Sequence, residues 1–226
     1  MQSNNIVLDI ATWLIPLVFA IVFHEISHGW VANAFGDPTA KRLGRLSPNP
    51  IRHVDPFGTI ILPLILVLTG APVFGWAKPV PVRAELMRNP RLHMVLVALA
   101  GPGMNLLLAL AAAAALSITV HAGAAEGLAG TFLVRNLQNF LVINVFLALF
   151  NLLPIPPFDG GHVVEGLLPP KIARHYAKLG RFGFPVLIFL LVILPILVPG
   201  ANIVEKIVVP PVEALIALYA SLVGLG

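Results

Sequence analysis

The sequence predicts an all-α polytopic membrane protein with about five to six transmembrane segments, including an irregular or re-entrant segment after the first span. Of its 226 residues, 58% are hydrophobic and 11% are charged, whereas an ordinary soluble domain is about 45–50% apolar and roughly 25% charged. The mean hydropathy of +0.93 agrees, and apolar runs near the ~20 residues of a membrane-spanning helix recur along the chain. So little charge excludes a soluble enzyme, a disordered chain and a coiled coil.

Six apolar segments are the expected membrane elements. They cover residues 6–35, 57–74, 94–120, 131–153, 182–198 and 203–222. The first lacks the basic start and the small-residue cleavage site of a signal peptide, so we expect it to be a retained span. We expect one membrane-embedded domain over residues 1–226, with a core at 6–166 and C-terminal helices at 182–222.

The second segment, 57–74, is expected to enter and leave the membrane on the same side. Twelve of the 14 Lys and Arg residues lie in three short clusters, one on each side of this segment and one before the fifth segment. Short loops rich in Lys and Arg stay cytoplasmic, and residues such as Gly58 and Pro63 disfavour a straight helix. This topology places the N-terminus outside and the C-terminus inside. The basic clusters then face anionic membrane lipids, and we expect no nucleic-acid partner.

The strongest functional signal is the sequence His24-Glu25-Ile26-Ser27-His28 at the end of the first segment. Histidines four residues apart project from one face of a helix and can bind one Zn²⁺, with the intervening glutamate beside the position for water. The alternative is a solvated or hydrogen-bonded cluster among lipid headgroups. Ionisable residues at membrane depth are costly and are functional-site candidates by default, so we favour a metal site with His24 and His28 as ligands.

A catalytic zinc takes three protein ligands, and Asp159 is the favoured third. It lies in the stretch Asn151-Leu-Leu-Pro-Ile-Pro-Pro-Phe-Asp159-Gly-Gly-His162, where an apolar segment breaks at prolines and glycines. Prolines lack N–H donors and glycines permit close backbone approach, and the expected topology puts this turn at the same membrane face as His24. An aspartate here could instead cap the helix that begins near Gly160. Spacing alone leaves both roles open.

Together these motifs resemble the site-2 protease family of intramembrane zinc metalloproteases. The resemblance rests on residues 24–28, on Ala-Gly-Pro-Gly-Met-Asn at 100–105 and on the proline-rich turn at 151–161, and it covers about residues 10–166. It implies one Zn²⁺ held by His24, His28 and Asp159, with Glu25 as the catalytic base. It also implies that the substrate is a transmembrane segment of another membrane protein, cut by zinc-activated water. The chain has no room for the PDZ or CBS domains that many members carry.

Two asparagines lie in apolar surroundings and call for partners. The resemblance favours binding of the substrate backbone by Asn151 over a hydrogen bond between helices. Asn105, which follows Gly101 and Gly103, is expected to serve close helix packing.

Three further polar residues keep two readings each. His53 and Asp55 could form a second metal site or a pH-sensitive pair, but a structural loop contact is favoured. His162 is either a partner of the metal ligands or a solvated loop histidine.

Two other functions remain open from the sequence. A metal-ion transporter also lines its path with His and Asp, but it needs such residues on several spans at one depth, and the third, fifth and sixth segments offer almost none. A catalytically inactive relative that binds membrane proteins would be expected to lack the glutamate or a ligand, and all four residues are present. We expect a multi-pass protein of the cell membrane with its active site toward the cytoplasm.

Overall fold

The computed structural model describes residues 6–69, 77–198, 202 and 204–225. Regular structure in these ranges is helical throughout, which confirms the predicted all-α class. In chain order the α-helices are α1 (Ile6–Ala34), α2 (Thr39–Arg42), α3 (Leu62–Thr69), α4 (Pro90–His121), α5 (Gly127–Asn151), α6 (Asp159–Leu167), α7 (Pro170–Leu179), α8 (Gly183–Ile188), α9 (Leu194–Leu197) and α10 (Val209–Leu222). Short 3₁₀ turns lie at Pro50–His53, Ala84–Leu86 and Gly180–Phe182, and π-helical turns lie at Pro56–Ile61, Phe189–Ile193 and Val204–Val208.

Three helices of the described part, α1, α4 and α5, are long and apolar enough to cross a membrane. They contain 29, 32 and 25 residues, and each exceeds the ~20 residues that a straight span needs. The C-terminal segments predicted at 182–198 and 203–222 divide instead into shorter helices and π-helical turns. Prolines in α8, α9 and α10 remove helix N–H donors there. The full number of spans therefore stays a prediction.

The predicted irregular segment at 57–74 is described as far as Thr69. Asp55 opens it, because its Oδ1 accepts hydrogen bonds from the N–H groups of Phe57 at 3.1 Å and Gly58 at 2.7 Å and so caps a π-helical turn. The following helix, α3, has eight residues, which rise about 12 Å against a hydrocarbon core of about 30 Å. The described part is irregular as predicted. Residues 70–74 lie outside the described residues, and re-entry stays a prediction.

The long helices α1, α4 and α5 pack against one another and form the centre of the described part. The face of α4 that meets α5 is built from alanine: Ala109, Ala112 and Ala113 are buried against Leu141 and Val145. Such small side chains let helices approach closely in a membrane, where packing rather than the hydrophobic effect holds them together. Because α6 packs on α4, the turn that follows α5 brings the chain back to this bundle.

Two buried amides connect the three long helices. Asn105 of α4 and Asn144 of α5 have no solvent exposure. The Nδ2 of Asn105 donates to Asn144 Oδ1 at 2.7 Å and to the carbonyl of Ala20 in α1 at 3.2 Å. These bonds satisfy polar groups that lipid cannot satisfy. The packing role predicted for Asn105 thus takes the form of a hydrogen-bond junction.

Candidate metal centre

His24 and His28 lie side by side on the face of α1 that meets α4. One helical turn separates them, and their Nε2 atoms are 3.1 Å apart. Both histidines are buried: 7% of the surface of His24 and 9% of the surface of His28 is exposed to solvent. The i, i+4 spacing in the sequence therefore produces the paired ring nitrogens expected from it.

Gly101 of α4 makes the space that the histidine pair occupies. A Cβ atom at this position would lie 2.5 Å from His28 Nε2 and 2.6 Å from His24 Cε1, both closer than real contacts allow. A Cβ at Gly103 would meet nothing within 4 Å. Of the two glycines predicted to aid helix packing, only Gly101 is therefore required by a close approach.

The other nitrogen of each ring fixes its tautomer. His28 Nδ1 lies 2.7 Å from the carbonyl oxygen of Val97, and His24 Nδ1 lies 2.6 Å from Asn105 Oδ1. Both oxygens can only accept, since Asn105 uses its Nδ2 toward Asn144. Each Nδ1 therefore carries the proton, and in a neutral imidazole this leaves the Nε2 lone pair free. The two lone pairs point to one place.

The turn between α5 and α6 delivers Asp159 to the same place. Gly160 and Gly161 follow it, and neither position has room for a Cβ. A Cβ at Gly160 would lie 2.3 Å from the Leu152 carbonyl oxygen, and a Cβ at Gly161 would lie 2.9 Å from the Pro156 nitrogen. Asp159 is the first residue of α6, the cap position belongs to Phe158, and no side-chain cap bond is made. The capping role left open by the spacing is therefore absent, and the carboxylate faces the histidines.

The three side chains form a set of acceptors that fits a metal ion. Asp159 Oδ2 lies 3.1 Å from His24 Nε2, and Oδ1 lies 3.5 Å from His28 Nε2. One ligand atom from each residue falls within 4.8 Å of the others. Asp159 Oδ2 is buried and accepts no hydrogen bond from any described residue. Two nitrogen lone pairs and a carboxylate repel one another unless a cation lies between them, and two nitrogens with one oxygen are a donor set of catalytic zinc.

Glu25 is turned toward a different partner. Its Oε2 accepts a hydrogen bond from the backbone N–H of Val80 at 2.7 Å. Val80 belongs to the stretch 77–83, which has no regular secondary structure and precedes the 3₁₀ turn before α4. The glutamate is partly exposed, whereas its histidine neighbours are buried.

Asn151 is not brought into contact with the metal-ligand trio. It is the last residue of α5, and its Nδ2 donates to the carbonyl of Leu147 one turn earlier, at 2.9 Å. Its Oδ1 makes no hydrogen bond with a described residue, so an acceptor remains at the start of the proline-rich turn. The substrate-binding role of Asn151 stays a prediction.

The three ambiguous residues lie apart from the trio. His53 Nε2 bonds the Ser47 carbonyl at 2.9 Å, while Asp55 caps the turn after it, so these two make the structural loop contacts that were favoured. His162 is half exposed and lies 3.9 Å from Glu165.

Three contributors to the site were missed by sequence reasoning. Asn105 holds the His24 ring, Gly101 makes room for both rings, and Val80 binds Glu25. A signal existed for the first two, because Gly101 and Asn105 are four residues apart and share a face of α4. The hydrogen bond between Val80 and Glu25 joins residues 55 positions apart in the sequence, and no local sequence pattern predicts it.

Comparison with known proteins agrees with these motifs. The sequence model of Peptidase family M50 matches residues 12–194. The Bacillus subtilis protein named "Putative zinc metalloprotease YwhC" is 41% identical over 181 residues, which are 79% of this chain and 79% of that protein.

Two mycobacterial proteins named "Putative zinc metalloprotease Rip2" are also similar. The Mycolicibacterium smegmatis protein is 32% identical over 190 residues, 82% of this chain and 67% of that protein. The Mycobacterium tuberculosis protein of strain H37Rv is 35% identical over 187 residues, 83% of this chain and 66% of that protein. No solved structure matches the chain significantly. Because the family match spans most of the chain and includes every residue of the trio, the chain belongs to Peptidase family M50, the site-2 protease family.

Proposed function

We propose that this protein is an intramembrane zinc endopeptidase that cleaves transmembrane segments of other membrane proteins. The observation that carries the proposal is the convergence of His24, His28 and Asp159 on the C-terminal half of α1, the helix that also carries Glu25. The relatives' names support zinc as the metal and proteolysis as the activity. The donor set supports zinc independently.

The chain's own residues prepare the metal ligands. Asn105 and the Val97 carbonyl keep the protons of both histidines on Nδ1, so each Nε2 binds a cation without first losing a proton. Asp159 supplies the third, anionic ligand. A zinc ion held by these three residues would supply Lewis acidity, which would polarise a peptide carbonyl and make water more acidic.

Glu25 acts as the general base and then as the general acid. Its Oε2 is held by the Val80 N–H, and its Oε1 accepts the proton of the attacking water. Glu25 then returns that proton to the nitrogen of the leaving amine. The same carboxylate thus serves both halves of the hydrolysis.

The substrate binds in extended form between the stretch 75–82 and Asn151. A peptide in a helix has its carbonyls bonded and shielded, so the cut segment has to unwind. Gly75 and Trp76 lie outside the described residues. Within the described part, the carbonyl of Val80 and the N–H of Val82 make no hydrogen bond with described residues, and an extended peptide pairs with such an edge. Asn151 Oδ1 accepts a hydrogen bond from a backbone N–H of the substrate.

The catalytic core is the part at 6–166, and the C-terminal helices at 182–222 support it. Val208 and Val212 pack with Leu141 and Val145 in one buried cluster, which supports treating the chain as a single unit. The site faces the cytoplasmic side of the cell membrane, since the basic clusters lie in the loops around it.

Glu25→Gln tests the proposal most directly. The purified variant, reconstituted with a reporter membrane protein, is expected to keep its zinc and to cleave roughly 10²-fold to 10⁴-fold more slowly, because an amide cannot accept the proton. Glu85→Gln, an exposed carboxylate in a 3₁₀ turn, is the matched control and should cleave normally.

Three other outcomes would contradict the proposal. Normal turnover by Glu25→Gln would remove the base from the mechanism. A wild-type protein that binds zinc and reporter but cleaves nothing would be an inactive binding protein. Zinc flux into sealed vesicles without cleavage would identify a transporter.

A further inference from the structure

The backbone that contacts Glu25 belongs to a short stretch without regular secondary structure, residues 77–83, which we call the Val80 segment. Its sequence alternates Pro79 and Pro81 with other residues, and proline fixes φ near the value of an extended chain. Proline also has no N–H, so five of the seven residues of the segment keep a backbone donor. One of them, the N–H of Val80, is directed at the glutamate.

Several other polar groups of the Val80 segment, at Lys78 and Arg83, are held by the loop after α1. Arg45 Nη2 donates to the carbonyl of Lys78 at 2.6 Å, and the N–H of Lys78 donates to the carbonyl of His53 at 2.8 Å. At the other end, the N–H of Arg83 donates to Asp37 Oδ2 at 2.6 Å. Asp37 has no solvent exposure and Arg45 has 8%. The segment is therefore fixed on both sides of Val80 by buried groups.

A glycine lets Val80 approach α1 one turn after Glu25. A Cβ at Gly29 would lie 2.9 Å from Val80 Cγ1 and 2.5 Å from Leu46 Cδ2. Glu25 and Gly29 share one face of α1, because they are four residues apart. Val80, which is 7% exposed, therefore packs its side chain against α1 one helical turn after the glutamate that its N–H binds.

We propose that the N–H of Val80 positions the Glu25 carboxylate for hydrolysis, and that Arg45 and Asp37 are positioning residues that act through the Val80 segment. This inference rests on the proposed function, in which Glu25 is the base. A glutamate side chain has several rotamers in a helix. Because the hydrogen bond from Val80 fixes Oε2 of Glu25, it also fixes the position of Oε1. Misplacement of a catalytic group by about 1 Å can cost roughly 100-fold in rate.

Amide hydrogen exchange tests the contact without using activity. We expect the Val80 N–H to exchange slowly in wild-type protein and in Glu25→Gln, since a glutamine oxygen still accepts. In Glu25→Ala it should exchange roughly tenfold faster or more. The Lys78 N–H is the internal control, because its acceptor is a backbone carbonyl. Equal Val80 exchange in all three proteins would overturn the contact.

Kinetics test the positioning role. Val80→Pro removes the N–H, whereas Val80→Ala keeps the N–H and trims the same side chain. Relative to Val80→Ala, Val80→Pro should lower kcat roughly 10-fold to 100-fold, with KM and zinc content unchanged. Equal kcat values in the two variants would overturn the role, since a purely structural contact has no reason to affect kcat alone.

If Val80→Pro fails to fold or loses zinc, variants of Arg45 test the positioning role instead. Arg45→Ala should lower kcat at constant zinc content, and Arg45→Lys should restore part of it by donating to the Lys78 carbonyl. Full activity in Arg45→Ala would overturn the role. A wild-type protein that cleaves nothing would defeat the proposed function and the positioning role together, whereas active wild type with fully active Val80→Pro defeats the positioning role alone.

Discussion

The two sides of the candidate site are held in different ways. On the metal side, His24 and His28 are fixed by Asn105 and by the Val97 carbonyl, all within the packed helices α1 and α4. On the base side, Glu25 is fixed by one backbone N–H from the extended Val80 segment. The histidines could be displaced only if the helices α1 and α4 moved apart, whereas Glu25 could be displaced by a movement of the Val80 segment alone.

The metal ligands and the general base are therefore positioned by different elements: α4 contacts the two histidines, and the Val80 segment contacts Glu25. Rigid elements position ligands more closely than loops do, and a metal site tolerates little error in its ligands. A general base that touches water tolerates more, and a loop that also lines the substrate path can move when substrate enters. Variants on the metal side should therefore change zinc affinity, and variants on the base side should leave zinc affinity unchanged.

Removal of a ligand is expected to have the largest effect. His24→Ala, His28→Ala and Asp159→Ala should each lower zinc affinity by more than the roughly 10-fold to 100-fold typical of an outer residue, and each should abolish cleavage. His162→Ala is the control, because this half-exposed histidine is in the same helix as Asp159 and lies beside Glu165. Metal analysis after dialysis against a zinc buffer measures the affinity. Full zinc in Asp159→Ala would remove that residue from the ligand set.

Gly101→Ala should be nearly as damaging, since its Cβ would lie 2.5 Å from His28 Nε2. The histidine pair would be displaced, and we expect bound zinc to be lost. Gly103→Ala lies two residues away and meets nothing within 4 Å, so it should keep zinc. Both changes replace glycine in a helix by alanine, which on propensity alone stabilises by about 1 kcal/mol. If Gly101→Ala binds zinc as tightly as Gly103→Ala, the close approach of α4 is wrong.

The sequence predicted the three residues that form the possible metal site, but it did not predict the contacts that hold His24 and Glu25, for a physical reason. The positions of His24 and His28 follow from helical periodicity, and the proline-glycine turn marks Asp159, so local rules suffice. The hydrogen bonds of Asn105 and Val80 depend on which helix packs where, and periodicity does not report that. The long apolar helices were foreseen within a few residues at each end, because lipid demands them. The prolines of the C-terminal segments indicate interrupted helices, but they do not indicate where the π-helical turns lie.

Asn105→Ala should weaken zinc binding by roughly 10-fold to 100-fold, the usual cost of losing a residue that orients a ligand. His24 would lose the acceptor of its Nδ1–H, and Asn144 would lose a partner inside the bundle. Asn136→Ala is a suitable control, because that amide bonds only the carbonyl of Phe132 in its own helix. Competition with a zinc chelator gives the affinity. Unchanged affinity in Asn105→Ala would show that helix packing alone holds the ring.

Asn151→Ala should slow cleavage about tenfold and leave zinc content unchanged, because this amide lies outside the trio and its predicted partner is substrate backbone. Cleavage is measured on paired reporters that differ in a Gly/Pro substitution near the cut. The Gly/Pro reporter should be cut faster, since it unwinds more readily. Normal cleavage by Asn151→Ala, together with equal rates for both reporters, would contradict extended binding while leaving the zinc chemistry intact.

The smallest expected effect concerns Asp37, the brace at the far end of the Val80 segment. Burial by itself raises the pKa of this carboxyl. The hydrogen bonds from Thr39 and from the Arg83 N–H outweigh burial and hold the pKa below the ordinary value of 3.8. A group whose pKa is lowered by folding stabilises the folded protein at pH values above its ordinary pKa, and it loses that contribution as the pH falls through the folded value.

Asp37→Asn should therefore be less stable than wild type by about 1–2 kcal/mol at neutral pH, the cost of exchanging charged for neutral hydrogen bonds. The gap should narrow as the pH falls below about 4, because a protonated aspartate resembles asparagine. Thermal unfolding of both metal-free proteins in detergent measures the gap without interference from the zinc ligands. Asp9→Asn is the control: its ion pair with Arg135 is half exposed, and such pairs contribute little. Zinc affinity at neutral pH should be unchanged in Asp37→Asn, because Asp37 supports only the base side. A pH-independent gap, or a loss of zinc affinity, would mean that the two sides of the site share one support.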